Sequence, residues 1–454
     1  MGFYLKHLSA KEVYSRIDIE ASFNQELTVV FGDNGIGKTT MLHIIANALE
    51  GSIESFVFLP FKRIVLSFAN RSGKEKEMII ERRLKEQPLT FRIGDSEPID
   101  FNIEESRNLI SHAKRSSVSR RYIRLERESV ESVTKKQERI RLILSGELGI
   151  EHLIYFPAFR SMIDAWSASS AQDVPEEYLF QYRKELGITD FARELFGDFV
   201  PIISYPSVLI MEKQLEQKIS DAVTQIARHN QDLLSIAFSE VFEALSAVKS
   251  AESRNSEQLL EEIEKLVTKI DTFLIPEKGK KKTDLAFSDI RQSIPKIRNH
   301  EWTESIGPIL EVYHNSLTKL IDFQEKMFNP INQFISSVNR FFVDKKLELS
   351  LDSESRHSIG VRYEQGDNER IGTLSSGERQ ILTMLYAACF MSQQKSIVLI
   401  DEPEISLHID WQRRLIPEME NLLKQNQLIV CTHSPVIGSN ASSDDNIRIL
   451  ERGY

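Results

Sequence analysis

Cysteine is nearly absent. Cys389 and Cys431 are the two in 454 residues, and both sit inside apolar stretches. A disulfide framework or a cysteine metal cluster is not expected; buried thiols in a reducing compartment are. No apolar run approaches the roughly 18 residues that a membrane helix needs, so no membrane partner is expected. The opening MGFYLKHLSAKEVY lacks the charged-then-apolar layout of an export signal, which points to the cytoplasm. An excess of positive charge is missing too. The net charge of −10 argues against wholesale coating of nucleic acid and leaves only a local basic face open. No H-N-H or H-E-x-x-H arrangement occurs, so a nuclease or zincin centre of those kinds is not expected. What remains is an ordinary globular balance, 41% apolar and 27% charged, with length for two or three domains.

The chain is organised around LTVVFGDNGIGKTTMLHIIA, residues 27–46. Leu27 to Phe31 is a short apolar run rich in β-branched residues and bounded by turn formers, which predicts a buried strand. Gly32 to Thr39 follows, and then Met41, Ile44, Ile45 and Leu49 at helical spacing. Strand, G-x-x-x-x-G-K-T and helix in that order is the context of a Walker A loop. Its glycines let backbone N–H groups close around phosphates, and the helix N-terminus adds a positive dipole end. Asp33, Asn34, Gly35, Ile36, Gly37, Lys38, Thr39 and Thr40 are therefore the expected nucleotide-binding residues. Lys38 would supply charge to the β- and γ-phosphates, and the Thr39 hydroxyl would ligate Mg²⁺.

Strands are predicted over Phe3–Ala10 and Arg16–Phe23, and then over Phe56–Phe58, Arg63–Phe68, Met78–Arg82 and Leu89–Ile93, forming an antiparallel β-layer. From Glu104 to Leu144 the chain turns charged and helical. There Arg120, Arg121 and Arg124 are candidate contacts for nucleic acid or an acidic partner, a solvated helix face being the plainer reading. Glu151 to Arg160 reads as a strand running into a proline turn, and Ser167 to Pro175 as a loop. From Val208 to Phe342 apolar residues step by three or four, with a polar gap over Ser250–Ser256 and a loop-like tip at Pro276–Thr283. Two helical arms around a tip suggest a hairpin, broken by Pro295 and Pro308. The expected divisions are 1–103, an N-terminal lobe with the Walker A loop; 104–205, a charged helical insertion and return strand; 206–344, a helical hairpin; and 345–454, a C-terminal lobe.

That last lobe carries the rest of the site. Ser375, Ser376, Gly377 and Glu378 open an apolar helix; alone they would read as an ordinary helix cap. About 20 residues on, Ser396–Ile400 is a buried strand delivering Asp401 and Glu402 at its carboxyl end, where α/β sheets bind ligands. Asp401 suits Mg²⁺ coordination and Glu402 is placed to orient or deprotonate an attacking water. A third strand, Gln427–Cys431, ends in Thr432-His433-Ser434-Pro435, with His433 placed to sense the γ-phosphate.

GDNGIGKT, LSSGE, LIDEPEISLH and THSP, in that order around a long helical interruption, resemble the ABC-type ATPase clan, nearest its OLD, RecF, Rad50 and SMC members. EPEISLH followed by THSP is most similar to the OLD-type branch. The resemblance covers residues 1–70 and 345–454 well and the middle in architecture. It implies an α/β fold: a P-loop NTPase head of ABC type, a mixed sheet with an antiparallel β-layer, interrupted by a helical or coiled-coil hairpin insertion. It implies ATP and Mg²⁺ as cofactors and a head-to-tail ATP-sandwich dimer or higher oligomer. Lys38, Thr39, Asp401, Glu402 and His433 of one copy would then face Ser375, Ser376, Gly377 and Glu378 of the other, with Ser406 to His408 communicating across the dimer. The chain departs from the pattern at Ser376 and Glu378, where many relatives carry Gly and Gln, and at His408, where Rad50-like proteins place Asp; no Q-loop glutamine is located. Only about 20 residues follow His433, too few for the Toprim nuclease domain of OLD proteins. The chain thus resembles the stand-alone ATPase subunits of two-gene phage-defence systems such as PARIS or Septu, whose nuclease effector is a separate protein. YFPAFR at 155–160 is similar to a Y-x-P-x-x-R patch in such ATPases. The expected function is an ATPase that oligomerises around ATP and controls a nuclease. The alternative is a DNA-repair or chromosome-associated ATPase that binds DNA directly.

Overall fold

The computed structural model describes residues 2–82, 88–102, 123–163, 182–246, 256–273, 306–351, 357–363, 368–392, 395–423, 426–439 and 444–450. Its strands, in chain order, are β1 (Tyr4–Val13), β2 (Ile17–Ser22), β3 (Leu27–Phe31), β4 (Arg63–Ala69), β5 (Glu75–Glu81), β6 (Leu89–Ile93), β7 (Ile99–Phe101) and β8 (His152–Phe156). They continue as β9 (Lys345–Leu351), β10 (His357–Tyr363), β11 (Asn368–Glu369), β12 (Ser396–Asp401), β13 (Gln427–Thr432) and β14 (Ile447–Ile449). Two units divide the chain: Met1–Leu209 with Leu374–Tyr454, and Ile210–Thr373.

The first unit holds two sheets. One has the order β2-β1-β4-β5-β6-β7 and is antiparallel throughout. Most of its strands alternate between buried and more exposed residues, as β1 does with Leu5, Leu8, Ala10 and Val13 inward, the pattern of a sheet with one face on a core. The other has the order β14-β3-β13-β12-β8 and is parallel throughout. β12 and β13 are buried along their whole length, as parallel strands covered on both faces are. Helix α1 (Lys38–Leu49) brings Met41, Ile44 and Ile45 into one core with Leu8, Leu66 and Phe91 of the antiparallel sheet and Tyr155, Leu399 and Ile429 of the parallel one. Each such side chain contributes about 1.5–3 kcal/mol when fully buried. The Gln427 side chain ties the two sheets together: its Oε1 accepts the Leu5 N–H at 2.9 Å and its Nε2 donates to the Leu5 carbonyl at 2.7 Å.

The second unit contains the helix Val208–Ser246 from Ile210 on, the helices Ser256–Phe273 and Gly307–Asn339, and the sheet β11-β10-β9. Leu259, Ile263, Val267, Leu310, Leu317 and Leu320 share one core there. Pro308 stands in the first turn of its helix, where its missing N–H costs nothing. Pro330 lies inside the same helix. Among the described residues, no helix is long and apolar enough to cross a membrane.

The mixed α/β head with its antiparallel layer is as expected, β3 and β6 residue for residue. Phe56–Phe58 is a correction. It belongs to a 3₁₀ turn, Ile53–Phe58, because the run is too short to declare a period and packs on α1. The loop at 167–175, the gap at 250–256, save Ser256 at a helix start, and the tip at 276–283 lie outside the described residues.

Glu50, which ends α1, keeps part of its surface, but its carboxyl is enclosed and accepts the Ile202 N–H at 3.2 Å. Burial pushes its pKa from the ordinary 4.5 up to about 8. The folded chain therefore holds this proton more tightly than the unfolded one, and stability falls as pH rises through that interval. Glu50→Gln, which cannot ionise, is expected to flatten the decline; thermal unfolding of both chains on either side of the interval checks it.

Candidate functional site

The parallel register decides what meets. Phe31 pairs with Thr432, Cys431 with Asp401 and Ile400 with Phe156, so four strands end in line. The segments leaving them, from Gly32, His433, Glu402 and Pro157, converge at the carboxyl edge, the usual ligand edge of such sheets. Gly37 caps α1 with φ 109°, and a Cβ there would lie 3.2 Å from Ile19 Cδ1. Both conditions ask for glycine.

The Thr39 hydroxyl donates to Asp401 Oδ2 at 2.7 Å across 362 residues of sequence. Asp401 is 1% exposed, and its other oxygen, Oδ1, is buried without a hydrogen-bond partner among the described residues. A stranded carboxylate oxygen beside a threonine hydroxyl is the donor set of a hard, oxygen-loving cation, so the residues present fit Mg²⁺. Burial pushes the Asp401 pKa up to about 6, the Thr39 hydrogen bond opposing it and the Glu402 charge adding to it. Lys38 Nζ donates to the carbonyls of Gly32 at 2.7 Å and Asp33 at 3.2 Å and lies 2.8 Å from His433 Nε2. Burial pulls its pKa down, against the pull of Glu402, Asp401 and Glu404. His433 Nε2 is 3.4 Å from Glu402 Oε1. Lys38, Thr39, Asp401, Glu402 and His433 are thus brought together.

Ser375 caps the helix Ser376–Tyr386, in a capping box: its hydroxyl accepts the Glu378 N–H at 3.4 Å and its own N–H donates to Glu378 Oε2 at 2.8 Å. The acid at this position, a departure in the motif, thereby has a local task. Gly377 meets the Ser406 carbonyl so closely that a Cβ would stand 2.5 Å from the oxygen. Arg120 and Arg121 lie outside the described residues, and of Arg124 only the helical backbone is described.

Three contributors have no role that the sequence assigns. The first is Arg160, 2% exposed. Its guanidinium donates to the carbonyls of Pro157 at 3.2 Å and of Asp401, Glu402 and Pro403 at 3.0 Å each. Those bonds fix a turn in which Glu402 takes φ 46°, the left-handed region that costs a non-glycine residue about 1–3 kcal/mol. The signal is present in the sequence, an arginine behind the proline of YFPAFR. The second is His43, one turn into α1, whose Nε2 lies 2.9 Å from the Tyr155 hydroxyl on β8. Burial pulls its pKa down to about 3 and keeps it neutral. The third is Glu404, two residues past Glu402; its Oε1 accepts from Thr432, His433 and Ser434.

Residues 173–439 match the family model described as AAA domain, putative AbiEii toxin, Type IV TA system. The chain is 20% identical over 443 residues to a retron Vc95 probable ATPase of Vibrio cholerae serotype O1 biovar El Tor, covering 97% of this chain and 72% of that protein. It is 26% identical over 185 residues to a retron Ec83 probable ATPase of Escherichia coli, covering 38% and 33% respectively. Among solved structures, an Smc head domain from Pyrococcus furiosus, with an extended coiled coil and bound to the C-terminal domain of ScpA, aligns over 99% of this chain and 96% of that one at 13% identity and a TM-score of 0.41.

Arg160→Met would strand the buried carbonyls at about 1–3 kcal/mol per group, so a loss of several kcal/mol is expected, with Arg160→Lys restoring part. Chemical denaturation of the three chains measures it. An unchanged midpoint for Arg160→Met would contradict the role given to the guanidinium.

Proposed function

The chain belongs to the family described as AAA domain, putative AbiEii toxin, Type IV TA system, and so to the ABC-type ATPase clan; from that premise we propose that it hydrolyses ATP in a composite site and uses its nucleotide state to control a separate nuclease in cytoplasmic antiviral defence. The observation that carries the catalytic part is the Thr39–Asp401 contact with its stranded Oδ1, set beside Lys38, Glu402 and His433. Burial opposes the charged form of Asp401 and of Lys38 alike. A ligand bringing a cation to the first and an anion to the second reverses both penalties, and Mg·ATP carries both charges.

Thr39 and Asp401 would hold Mg²⁺, which when bound neutralises charge on the phosphates. Backbone N–H groups of residues 33–40 close around the phosphates, and Lys38 turns its ammonium from carbonyls and His433 to the β- and γ-phosphoryl oxygens. Glu402 aligns a water for in-line attack and takes its proton; His433 hydrogen-bonds the γ-phosphate. The charge is completed by Ser375, Ser376, Gly377 and Glu378 of a second copy, so turnover waits on head-to-tail pairing. The defence reading is supported by the toxin-system wording of the family description and by relatives named as retron ATPases.

Glu402→Gln is expected to bind ATP as the wild type does, to release no phosphate, and to shift to a stable dimer in ATP by light scattering. Equal phosphate release would remove Glu402 from its role. In the same preparations, the protein encoded beside this chain is expected to co-purify and to nick plasmid DNA in a nucleotide-dependent way. Intact plasmid under every nucleotide condition would remove the nuclease from the account.

A further inference from the structure

The backbone ladder between β12 and β13 ends before the residues that need positioning most. Asp401 pairs with Cys431, and one more bond, Glu402 N–H to the Cys431 carbonyl at 2.8 Å, carries the pairing past the strand end. Beyond it the two segments diverge, and among the described residues no backbone bond between them holds the His433 turn. A side chain takes over there. Glu404 Oε1 accepts the Thr432 hydroxyl at 2.7 Å, the His433 N–H at 2.7 Å and the Ser434 N–H at 3.0 Å. The Ser434 N–H also donates to Thr432 Oγ1 at 2.9 Å, and the Ser434 hydroxyl to Gln412 Oε1 at 2.7 Å.

We propose that Glu404 is the positioning residue for His433: by gathering three donors from residues 432–434 on one carboxylate oxygen, it sets the backbone from which the His433 ring reaches Lys38 and Glu402. A side-chain carbonyl-type oxygen suits the task because a single such oxygen offers lone pairs in several directions and so can accept from all three donors at once. The proposal rests on the reading of His433 as a phosphate contact. It adds that the turn Asp401-Glu402-Pro403-Glu404 carries two acids with separate duties, Glu402 toward the water and Glu404 toward the histidine. The arrangement also links the metal-binding turn to the histidine turn through one side chain, so displacement of either is felt by the other. Glu404 Oε2 is buried and has no hydrogen-bond partner among the described residues, so an amide nitrogen placed there would break none of the bonds seen there.

The test uses the full chain labelled selectively on histidine. The His433 ring resonance is assigned by its loss in His433→Asn. Glu404→Ala is expected to move or broaden that resonance, and Glu404→Asp, which shortens the side chain by one methylene and retains the charge, to move it as well should the alanine chain fold poorly. Glu404→Gln keeps the accepting oxygen and should leave the resonance near its wild-type place. In phosphate release, Glu404→Ala is expected to lose about 100-fold in kcat, the scale of a roughly 1 Å misplacement, while KM for ATP stays within about 3-fold; Glu404→Gln recovers most of the loss. An unmoved His433 resonance in both Glu404→Ala and Glu404→Asp overturns the proposal, as does wild-type kcat in both. A wild-type chain that releases no phosphate would overturn the hydrolytic reading alone, leaving the ring resonance to decide the positioning role.

Discussion

The hydrogen bond from Thr39 to Asp401 is the contact on which the head depends. It joins the first turn of α1 to the end of β12, two elements separated by most of the chain. It can form because β3 and β13, and β13 and β12, run parallel and in a register that ends them together. A one-residue slip of β12 would turn Asp401 to the other face of the sheet and send its carboxylate away from the threonine. The register, in turn, is secured where the strands begin, by Gln427 Nε2 donating to the Asn24 carbonyl ahead of β3 and Asn426 Oδ1 accepting the Ser396 N–H of β12, and along their length by the fully buried apolar residues of β12 and β13.

Around that contact the protein keeps polar groups that selection for stability alone would avoid. Asp401, Lys38 and Arg160 are all buried, and burial works against the charged form of the first two. Each is offset by geometry. Arg160 directs its donors to four carbonyls of two loops, and Glu404 collects the donors of a third loop. His43, held neutral, links α1 to β8 through Tyr155. The charged groups are therefore prearranged where regular elements end or begin, Asp401 at the end of β12 and Lys38 at the start of α1, so their positions are set before any ligand arrives.

Much of this is legible in the amino-acid order alone. β3 announces itself by β-branched residues between turn formers, the phosphate loop by its glycine and lysine spacing, and Asp401 and His433 by their places after apolar strands. Those signals are local. What stays hidden is non-local. Nothing in DEPE distinguishes Glu404 as a partner of residues 432–434 until β12 and β13 lie side by side. Arg160 is visible behind its proline, but its three acceptors on the turn 401–403 come from the other end of the chain. Ser375-Ser376-Gly377-Glu378 admits two readings in sequence, and the chain forms the helix cap by itself. Phe56–Phe58 misleads because a three-residue apolar run has no period to read. The sheet β9–β11 escapes notice for a different reason: Lys345–Glu369 mixes charge with short apolar pairs, and its strands are defined by each other.

The most direct test is a double-mutant cycle on Mg·ATP binding, with Thr39→Ala, Asp401→Asn and the pair measured by calorimetry against the wild type. If one shared cation site spans the two ends of the chain, the pair loses little more affinity than the worse single variant. Losses that simply add would mean that Thr39 and Asp401 act independently, and would contradict the single composite head from which the rest follows.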